Sequence, residues 1–357
     1  MFPYWLLFAI VAVGALTERT YASNVRRPGL ILLGIFIALM IGLRVEVGAD
    51  YWTYLRLFEY ASHQRLSDAL RFGEPAHQVL NWAIAQADYD QWVANLVSAS
   101  IFSWGLIRFV RSQPTPWMTL LVAVPYLIIV VAMGYTRQSV AIGLIMAGLP
   151  SVLRGGSVLK FTLYVAVAAT FHRTAVMVLP LVLLAGQRNR LINLIAGTAI
   201  LIFLYDLMLA ESIDYFVESY LEAEYASQGA AVRVAMSAIP ALIFLFTRKR
   251  LGFVEQEAAV WRLFSLVALA MIPVLILTPS SAAVDRMALY LLPLQLAVIP
   301  RMVYLVANVN LARLGIILYC FTIQFMWLNF AAHATYWLPY DFVLPGEELP
   351  KRERIRR

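Results

Sequence analysis

The chain has 357 residues, of which 62% are hydrophobic and 14% charged, and its net charge at pH 7 is +7. Soluble domains carry roughly 25% charged residues, whereas the mean hydropathy of this chain is +0.74. The composition excludes an ordinary soluble enzyme, a disordered chain and a nucleic-acid-binding protein, and it indicates an all-α polytopic membrane protein. We expect one membrane-embedded domain over residues 1–345 and a basic tail over residues 346–357.

Apolar runs along the chain predict about twelve transmembrane helices, since one crossing takes about 20 residues. The runs lie at 3–17, 28–43, 91–110, 117–134, 138–153, 158–171, 174–186, 191–209, 231–247, 258–277, 286–304 and 312–330. The stretch 74–88 carries too many polar residues for a crossing. We interpret it as a re-entrant or amphipathic segment on the outer side of the membrane.

The basic residues orient these helices. With the N-terminus outside, most arginines and lysines fall in connections on the cytoplasmic side, as the positive-inside rule requires. The basic run at 351–357 would then lie outside, unless a further short crossing exists near 331–345 or one of the predicted crossings is wrong. In this topology the unusual polar residues collect at the outer boundary.

Three arginines, Arg137, Arg173 and Arg286, each begin or flank an apolar helix at that boundary. Arginine is well suited to bidentate phosphate binding, and an ionisable group at membrane depth is a functional-site hypothesis by default. We therefore predict that the three arginines bind a diphosphate. The alternative for each is that it snorkels to the interface or pairs with a local acid.

Three residues near these arginines are candidate catalytic bases: Asp50, Glu74 and His172. A carboxylate or an imidazole there could deprotonate or orient a sugar hydroxyl. Asp50 ranks first, because it lies in the strongest local motif, between a glycine and two aromatic residues. Glu46, in contrast, is better explained as a structural partner of Arg44.

Aromatic and polar residues at the same boundary are typical of carbohydrate binding, because rings pack on the apolar face of a sugar while polar groups bond to its hydroxyls. The predicted sugar-binding residues are Arg44, Tyr51, Trp52, Tyr54, Gln138, Asp285 and Tyr290. Tyrosine and tryptophan also form ordinary interfacial belts, which is the alternative for any one of them. The acidic stretch 211–224 is either an amphipathic lid or a solvated face.

No cluster of histidine, cysteine and acidic residues has the spacing of metal ligands. The sequence also lacks a GxSxG elbow, a Walker loop and a dinucleotide-binding fingerprint. We therefore predict no metal site and no cofactor.

An ordered set of short motifs resembles the EpsG family of bacterial exopolysaccharide polymerases of the Wzy type. The motifs are Arg44, Gly48-Ala49-Asp50-Tyr51-Trp52, Glu74-Pro75, Arg137-Gln138, Phe171-His172-Arg173-Thr174, Arg233 and Asp285-Arg286 with Tyr290. The resemblance runs over about residues 1–345. One departure is Ala76-His77, where many members would show Gly-Tyr.

The resemblance implies a membrane glycosyltransferase with a helical fold similar to the glycosyltransferase C superclass. Such an enzyme lies in the bacterial cytoplasmic membrane and joins undecaprenyl-diphosphate-linked oligosaccharide repeats at the outer face, with lipid diphosphate as the leaving group. Its expected partners are that lipid-linked oligosaccharide and the bilayer, with a flippase and a chain-length regulator as further candidates, and no nucleic acid. A flippase of lipid-linked sugar and a polysaccharide ligase stay open as alternatives.

Overall fold

A computed structural model of the chain describes residues 1–18, 23–70, 73–185, 229–278 and 281–343. These residues form helices and two very short strands, so the expected all-α fold is confirmed. The elements before the gap at 186–228 are α1 (Phe2–Leu16), α2 (Ser23–Gly42), β1 (Arg44–Val45), α3 (Tyr51–Ser62), α4 (Leu66–Ala69), α5 (Pro75–Gln86), α6 (Gln91–Val110), α7 (Pro116–Ala123) continuing as a π-helix (Val124–Ala132), α8 (Thr136–Leu153), α9 (Val158–Phe171), a 3₁₀ helix (Arg173–Val178) and α10 (Leu179–Ala185).

The elements after residue 228 are again helices joined by short connections. They are α11 (Ala230–Thr247), α12 (Glu255–Leu277), α13 (Ser281–Leu289), α14 (Leu292–Val298) continuing as a 3₁₀ helix (Ile299–Tyr304), α15 (Val309–Phe330), a 3₁₀ helix (Ala332–Trp337) and β2 (Asp341–Phe342).

Several of these helices could span a membrane. Within the described ranges, five are long and apolar enough, namely α6, α8, α11, α12 and α15. A sixth span results if α13 and Leu292–Tyr304, which meet at 43°, are counted together, and five further apolar helices have only 10–17 residues. The expected count of about twelve crossings is therefore not confirmed. The runs 191–209 and 211–224 lie outside the described residues, as do residues 344–357.

The predicted amphipathic segment near 74–88 is α5, a twelve-residue helix that packs against α3 and α6. Its polar side chains His77, Gln78 and Asn81 are buried rather than exposed. α5 is not among the helices long enough to span a membrane. The sequence interpretation of this stretch as something other than a crossing is therefore consistent with the structure.

The described part of 331–345 does not form a crossing. Residues 332–337 form a 3₁₀ helix, and β2 pairs antiparallel with β1, with Arg44 opposite Phe342. Trp337 is 2% exposed, and its indole Nε1 donates a 2.8 Å hydrogen bond to the carbonyl of Ile129. This segment folds back onto the bundle because its aromatic side chains find buried partners there. The suggestion of a further crossing near 331–345 is wrong.

Two ends of the bundle can be distinguished by which connections meet there. At one, which we call the site end, the 44–50 loop contacts the segment after α15, since the Gly48 amide donates to the Tyr336 carbonyl at 2.8 Å. The Tyr4 hydroxyl donates to the carbonyl of Trp337 at 2.8 Å, so the N-terminus lies at this end too. α8 begins at the site end and is the most buried of the five long helices, with 83% of its residues buried.

The other end of the bundle, which we call the basic end, holds the connections after α1, α6, α8 and α11. Arg313 donates to the Leu16 carbonyl at 3.0 Å, and Arg301 pairs with Glu257 at 3.0 Å. This end carries several basic residues: Arg111, Arg154, Arg248, Lys249, Arg250, Arg301 and Arg313. The site end and the basic end therefore differ in charge.

Gly48 allows the 44–50 loop to lie close to the end of the π-helix. Its φ is +105°, and a Cβ there would lie 2.2 Å from the carbonyl oxygen of Met133. Only glycine adopts this conformation readily and leaves room for such an approach. The loop places Asp50 at the start of α3.

We expect Gly48→Ala to destabilise the protein by about 1–3 kcal/mol, because the methyl group would meet the Met133 carbonyl in a strained backbone conformation. Thermal unfolding of the purified protein in detergent measures this. The matched control is Gly315→Ala within α15, where an added Cβ meets nothing within 4 Å. An unfolding temperature for Gly48→Ala equal to that of the control would contradict this role of the loop.

Candidate functional site

Five of the predicted site residues lie at helix ends at the site end. Asp50 is the N-cap of α3, Glu74 is the N-cap of α5, and Arg137 lies in the first turn of α8. His172 is the C-cap of α9, and Arg286 lies in the last turn of α13. Short connections at one end of a helical bundle thus bring residues that are far apart in sequence to the same region.

Arg137 forms the most direct contacts among these residues. Its Nη1 makes an ion pair with Glu74 Oε2, and its guanidinium carbon lies 5.7 Å from the centre of the Tyr54 ring. Its Nε is buried and has no hydrogen-bond partner among the residues described. The Arg137 side chain is still 27% exposed. Arg137 therefore pairs with a local acid and retains an unused donor.

Asp50 is half-buried and lies near two of the predicted phosphate-binding arginines. Its carboxylate does not cap α3, and no described group hydrogen-bonds to it. Burial raises the pKa of Asp50, while the nearby charges of Arg286 and Arg137 act in the opposite direction and lower it. The charges of both arginines therefore act on the Asp50 carboxylate, although no described hydrogen bond joins it to either of them.

His172 belongs to a small hydrogen-bonded group at the end of α9. Its Nδ1 lies 2.7 Å from Thr174 Oγ1 and 3.0 Å from the hydroxyl oxygen of Tyr290. Burial, together with the smaller effect of the Arg137 and Arg286 charges, lowers the pKa of His172 to about 3. The imidazole is therefore neutral at physiological pH, and Tyr290 holds its ring.

Arg173 and Arg286 border the same region through backbone contacts. Arg173 Nη2 donates a 3.1 Å hydrogen bond to the carbonyl of Gly73, the residue before Glu74. The Arg286 carbonyl accepts a 2.7 Å hydrogen bond from Gln138 Nε2. Arg286 also lies within electrostatic range of Asp50. The three arginines predicted from the sequence are thus all at the site end.

Arg44 is placed differently from the prediction of a sugar contact. It is 2% exposed, and it donates hydrogen bonds to the carbonyls of Ile41 and Val47 and, at 2.9 Å, to Thr136 Oγ1. These are polar groups of the protein, and an ion pair with Glu46 is not among them. Arg44 fastens the 44–50 loop to the start of α8.

The predicted aromatic residues differ in accessibility. Tyr51 and Tyr54 are buried, at 6% and 5% exposed, whereas Trp52 is 39% exposed. The rings of Tyr51 and Trp52 meet edge to face with centroids 5.4 Å apart. Of these three aromatics, Trp52 therefore presents the most surface to a ligand.

Asp285 pairs with Arg233 of α11, a partner that sequence reasoning did not assign. The side chains are 8% and 11% exposed. Tyr126 and Tyr135 also accept hydrogen bonds from Arg233, and neither was predicted. The available signal was an arginine inside an apolar helix, which requires a buried acid as partner.

No group of three histidine, cysteine or acidic residues that could hold a metal ion occurs in the described part of the chain.

A protein-family model matches most of the chain. The model of the EpsG family matches residues 30–342, which include every candidate site residue named above. The chain belongs to the EpsG family. This membership, together with the apolar helices, makes it a membrane protein of the polysaccharide-polymerase type. Comparisons with curated proteins and with solved structures gave no match.

Burial of His77 in this EpsG protein is expected to make folding stability depend on pH. Burial lowers the pKa of His77 from 6.5 to about 3. The unfolded chain therefore binds a proton that the folded chain excludes, and folding stability contributed by neutral His77 is lost as the pH falls below about 6.5.

We expect the unfolding temperature in detergent to fall between pH 7 and pH 5, and His77→Gln to reduce that fall. The effect amounts to at most about 1.4 kcal/mol per pH unit. The control is His333→Gln, because His333 is exposed. An equal pH dependence in wild type and His77→Gln would show that His77 is not held neutral.

Proposed function

We propose that this protein joins undecaprenyl-diphosphate-linked oligosaccharide repeats. The growing chain would pass from its own lipid diphosphate to a hydroxyl of another lipid-linked repeat. The bond between the anomeric carbon and the phosphate oxygen breaks, a glycosidic bond forms, the acceptor proton goes to a base, and the lipid diphosphate leaves. One observation carries this proposal: Arg137 and Arg286 are both close enough for their positive charges to lower the pKa of Asp50 and the pKa of His172.

The arginines supply what the leaving group needs. Negative charge develops on the diphosphate as its bond to the sugar breaks, and preorganised cationic donors stabilise that charge. The Nε of Arg137 supports this role, because it is a buried donor without a described partner in a side chain that is 27% exposed. Arg173, which donates a hydrogen bond to the carbonyl of Gly73, would be the third arginine to bind the diphosphate.

Asp50 is the best of the three candidate bases on physical grounds. Glu74 is already engaged as the ion-pair partner of Arg137. His172, with its pKa lowered to about 3, accepts a proton poorly near neutral pH. The pKa of Asp50 is raised by burial, which makes its carboxylate a stronger base than an ordinary aspartate. We assign His172 the role of a neutral hydrogen-bonding group held by Tyr290.

The acceptor sugar would lie against Trp52. This residue follows Asp50 by two positions in α3, and its ring is supported edge-on by Tyr51. An exposed aromatic ring two residues from a carboxylate is suited to a sugar that spans both, since the ring covers the apolar face while the carboxylate binds a hydroxyl. In this proposal Tyr54 and Arg44 act indirectly, by supporting Arg137 and the 44–50 loop.

The charge difference between the two ends supports an outward-facing site in the bacterial cytoplasmic membrane. Basic residues concentrate at the end opposite the site, and the positive-inside rule assigns that end to the cytoplasm. The site end would then face the periplasm or the exterior, where lipid-linked repeats arrive after flipping. Energy for the transfer would come from the diphosphate ester itself, so the proposal requires no nucleotide sugar.

We expect Asp50→Asn to reduce the rate of polymerisation at least about 100-fold, because it removes the base while keeping the shape of the side chain. The assay uses purified protein in liposomes and lipid-linked repeats extracted from a host strain that lacks the protein. Products are sized by gel electrophoresis. The matched control is Glu46→Gln, a carboxylate of the same loop that is exposed.

Full activity of Asp50→Asn at equal protein would remove Asp50 from the mechanism. Transfer of preformed polymer to another acceptor without elongation of repeats would instead identify a ligase. Movement of repeats across the vesicle without new glycosidic bonds would identify a flippase.

A further inference from the structure

Arg233 is the centre of a buried polar cluster that the proposed chemistry does not use. Its guanidinium makes an ion pair with Asp285 of α13 and donates hydrogen bonds to the hydroxyls of Tyr126 in the π-helix and Tyr135 before α8, the latter at 2.9 Å. The centres of the two tyrosine rings lie 6.0 and 5.4 Å from the guanidinium carbon. We call these four residues the Arg233 cluster. It connects α11, α13 and the segment that joins the π-helix to α8.

Burying an ion pair is costly, and a pair of this kind is weak support for stability by itself. Replacement by apolar residues of similar size is often neutral or stabilising. The Arg233 cluster therefore calls for a role beyond holding helices together, and its neighbours in sequence indicate which role.

Asp285 immediately precedes Arg286, the predicted diphosphate-binding residue. The next residue's carbonyl is fixed as well, because Gln138 Nε2 donates to the carbonyl of Arg286 at 2.7 Å. Gln138 in turn immediately follows Arg137. The short helix α13 is therefore tied to α11 through one residue and to α8 through the next. The same contacts determine where Arg286 stands relative to Arg137.

We propose that Arg233, Asp285 and Gln138 are positioning residues that hold Arg286 beside Arg137, so that both guanidiniums address one lipid diphosphate. This inference rests on the proposed function. It replaces the predicted sugar contacts of Asp285 and Gln138, which are 6% and 2% exposed and whose side chains bond to protein groups. A misplacement of about 1 Å in such a site can cost about 100-fold in rate.

The chain offers a matched control for the loss of this ion pair. Arg301 and Glu257 form another buried pair, 3.0 Å apart, with side chains 4% and 15% exposed. It lies at the basic end, away from the site. Asp285→Asn and Glu257→Gln therefore each leave a buried arginine without its carboxylate, but only the first lies next to Arg286.

The experiment compares these two variants with wild type in the liposome polymerisation assay, over a range of pH. We expect Asp285→Asn to lower kcat at least 10-fold per folded protein. We also expect the acid limb of its pH–rate profile to move to higher pH. The Arg286 charge holds the pKa of Asp50 down, so a displaced Arg286 lets that pKa rise. Glu257→Gln is expected to keep the wild-type kcat and the wild-type acid limb.

A second variant keeps the test decisive if Asp285→Asn does not fold. Gln138→Met removes only the hydrogen bond to the Arg286 carbonyl and leaves every charge in place. We expect a shift of the acid limb in the same direction and a smaller loss of kcat.

Two failures can be told apart. If the wild-type protein elongates no repeats, the proposed function fails and the positioning role fails with it. If wild type elongates repeats and Gln138→Met keeps the wild-type kcat and acid limb, only the positioning role is overturned. A loss of rate that is equal in Asp285→Asn and Glu257→Gln, with no shift of the acid limb, would overturn it as well.

Discussion

The buried ion pairs of arginine are the interactions on which the site depends. A guanidinium at membrane depth needs a partner, because an uncompensated charge there is costly. Arg137 is paired with Glu74 and Arg233 with Asp285, and these two pairs join helices that are distant in sequence. Glu74 lies at the start of α5 and Asp285 lies within the short helix α13, so pairing also fixes where these two helices stand. Arg137 remains partly exposed, with 27% of its side chain accessible, whereas the side chain of Arg233 is 11% exposed.

Much of the fold could be predicted from hydropathy, because most described apolar runs form helices. Which kind of helix each run forms could not be predicted from hydropathy. The run 117–134 begins as an α-helix and widens into a π-helix at Val124, and the run 174–186 begins as a 3₁₀ helix. Hydropathy reports burial and not the pitch of the backbone. It also could not predict that residues 332–337 fold back, since that depends on a buried place for Trp337.

That the candidate site residues share one end of the bundle could be predicted, because the predicted orientation of each helix in the membrane assigns its two ends to opposite sides. The ion-pair and hydrogen-bond partners of the arginines could not be predicted, because a sequence does not tell which acid contacts which arginine. Asp285 resembled a sugar ligand and is instead the partner of Arg233. Arg44 resembled half of an acid pair, and its donors bond to two carbonyls and a hydroxyl. The structure buries both residues, with Arg44 2% and Asp285 6% exposed.

We propose that the site end of this EpsG protein polymerises lipid-linked repeats outside the cytoplasmic membrane. The most direct test is to delete the gene in its host, restore it on a plasmid, and size the lipid-linked glycans on each face of the membrane. The account predicts that single lipid-linked repeats accumulate on the outer face of the deletion strain, and that high-mass polymer returns with the plasmid. Polymer still present on the lipid carrier in the deletion strain, or repeats trapped on the cytoplasmic face, would contradict it.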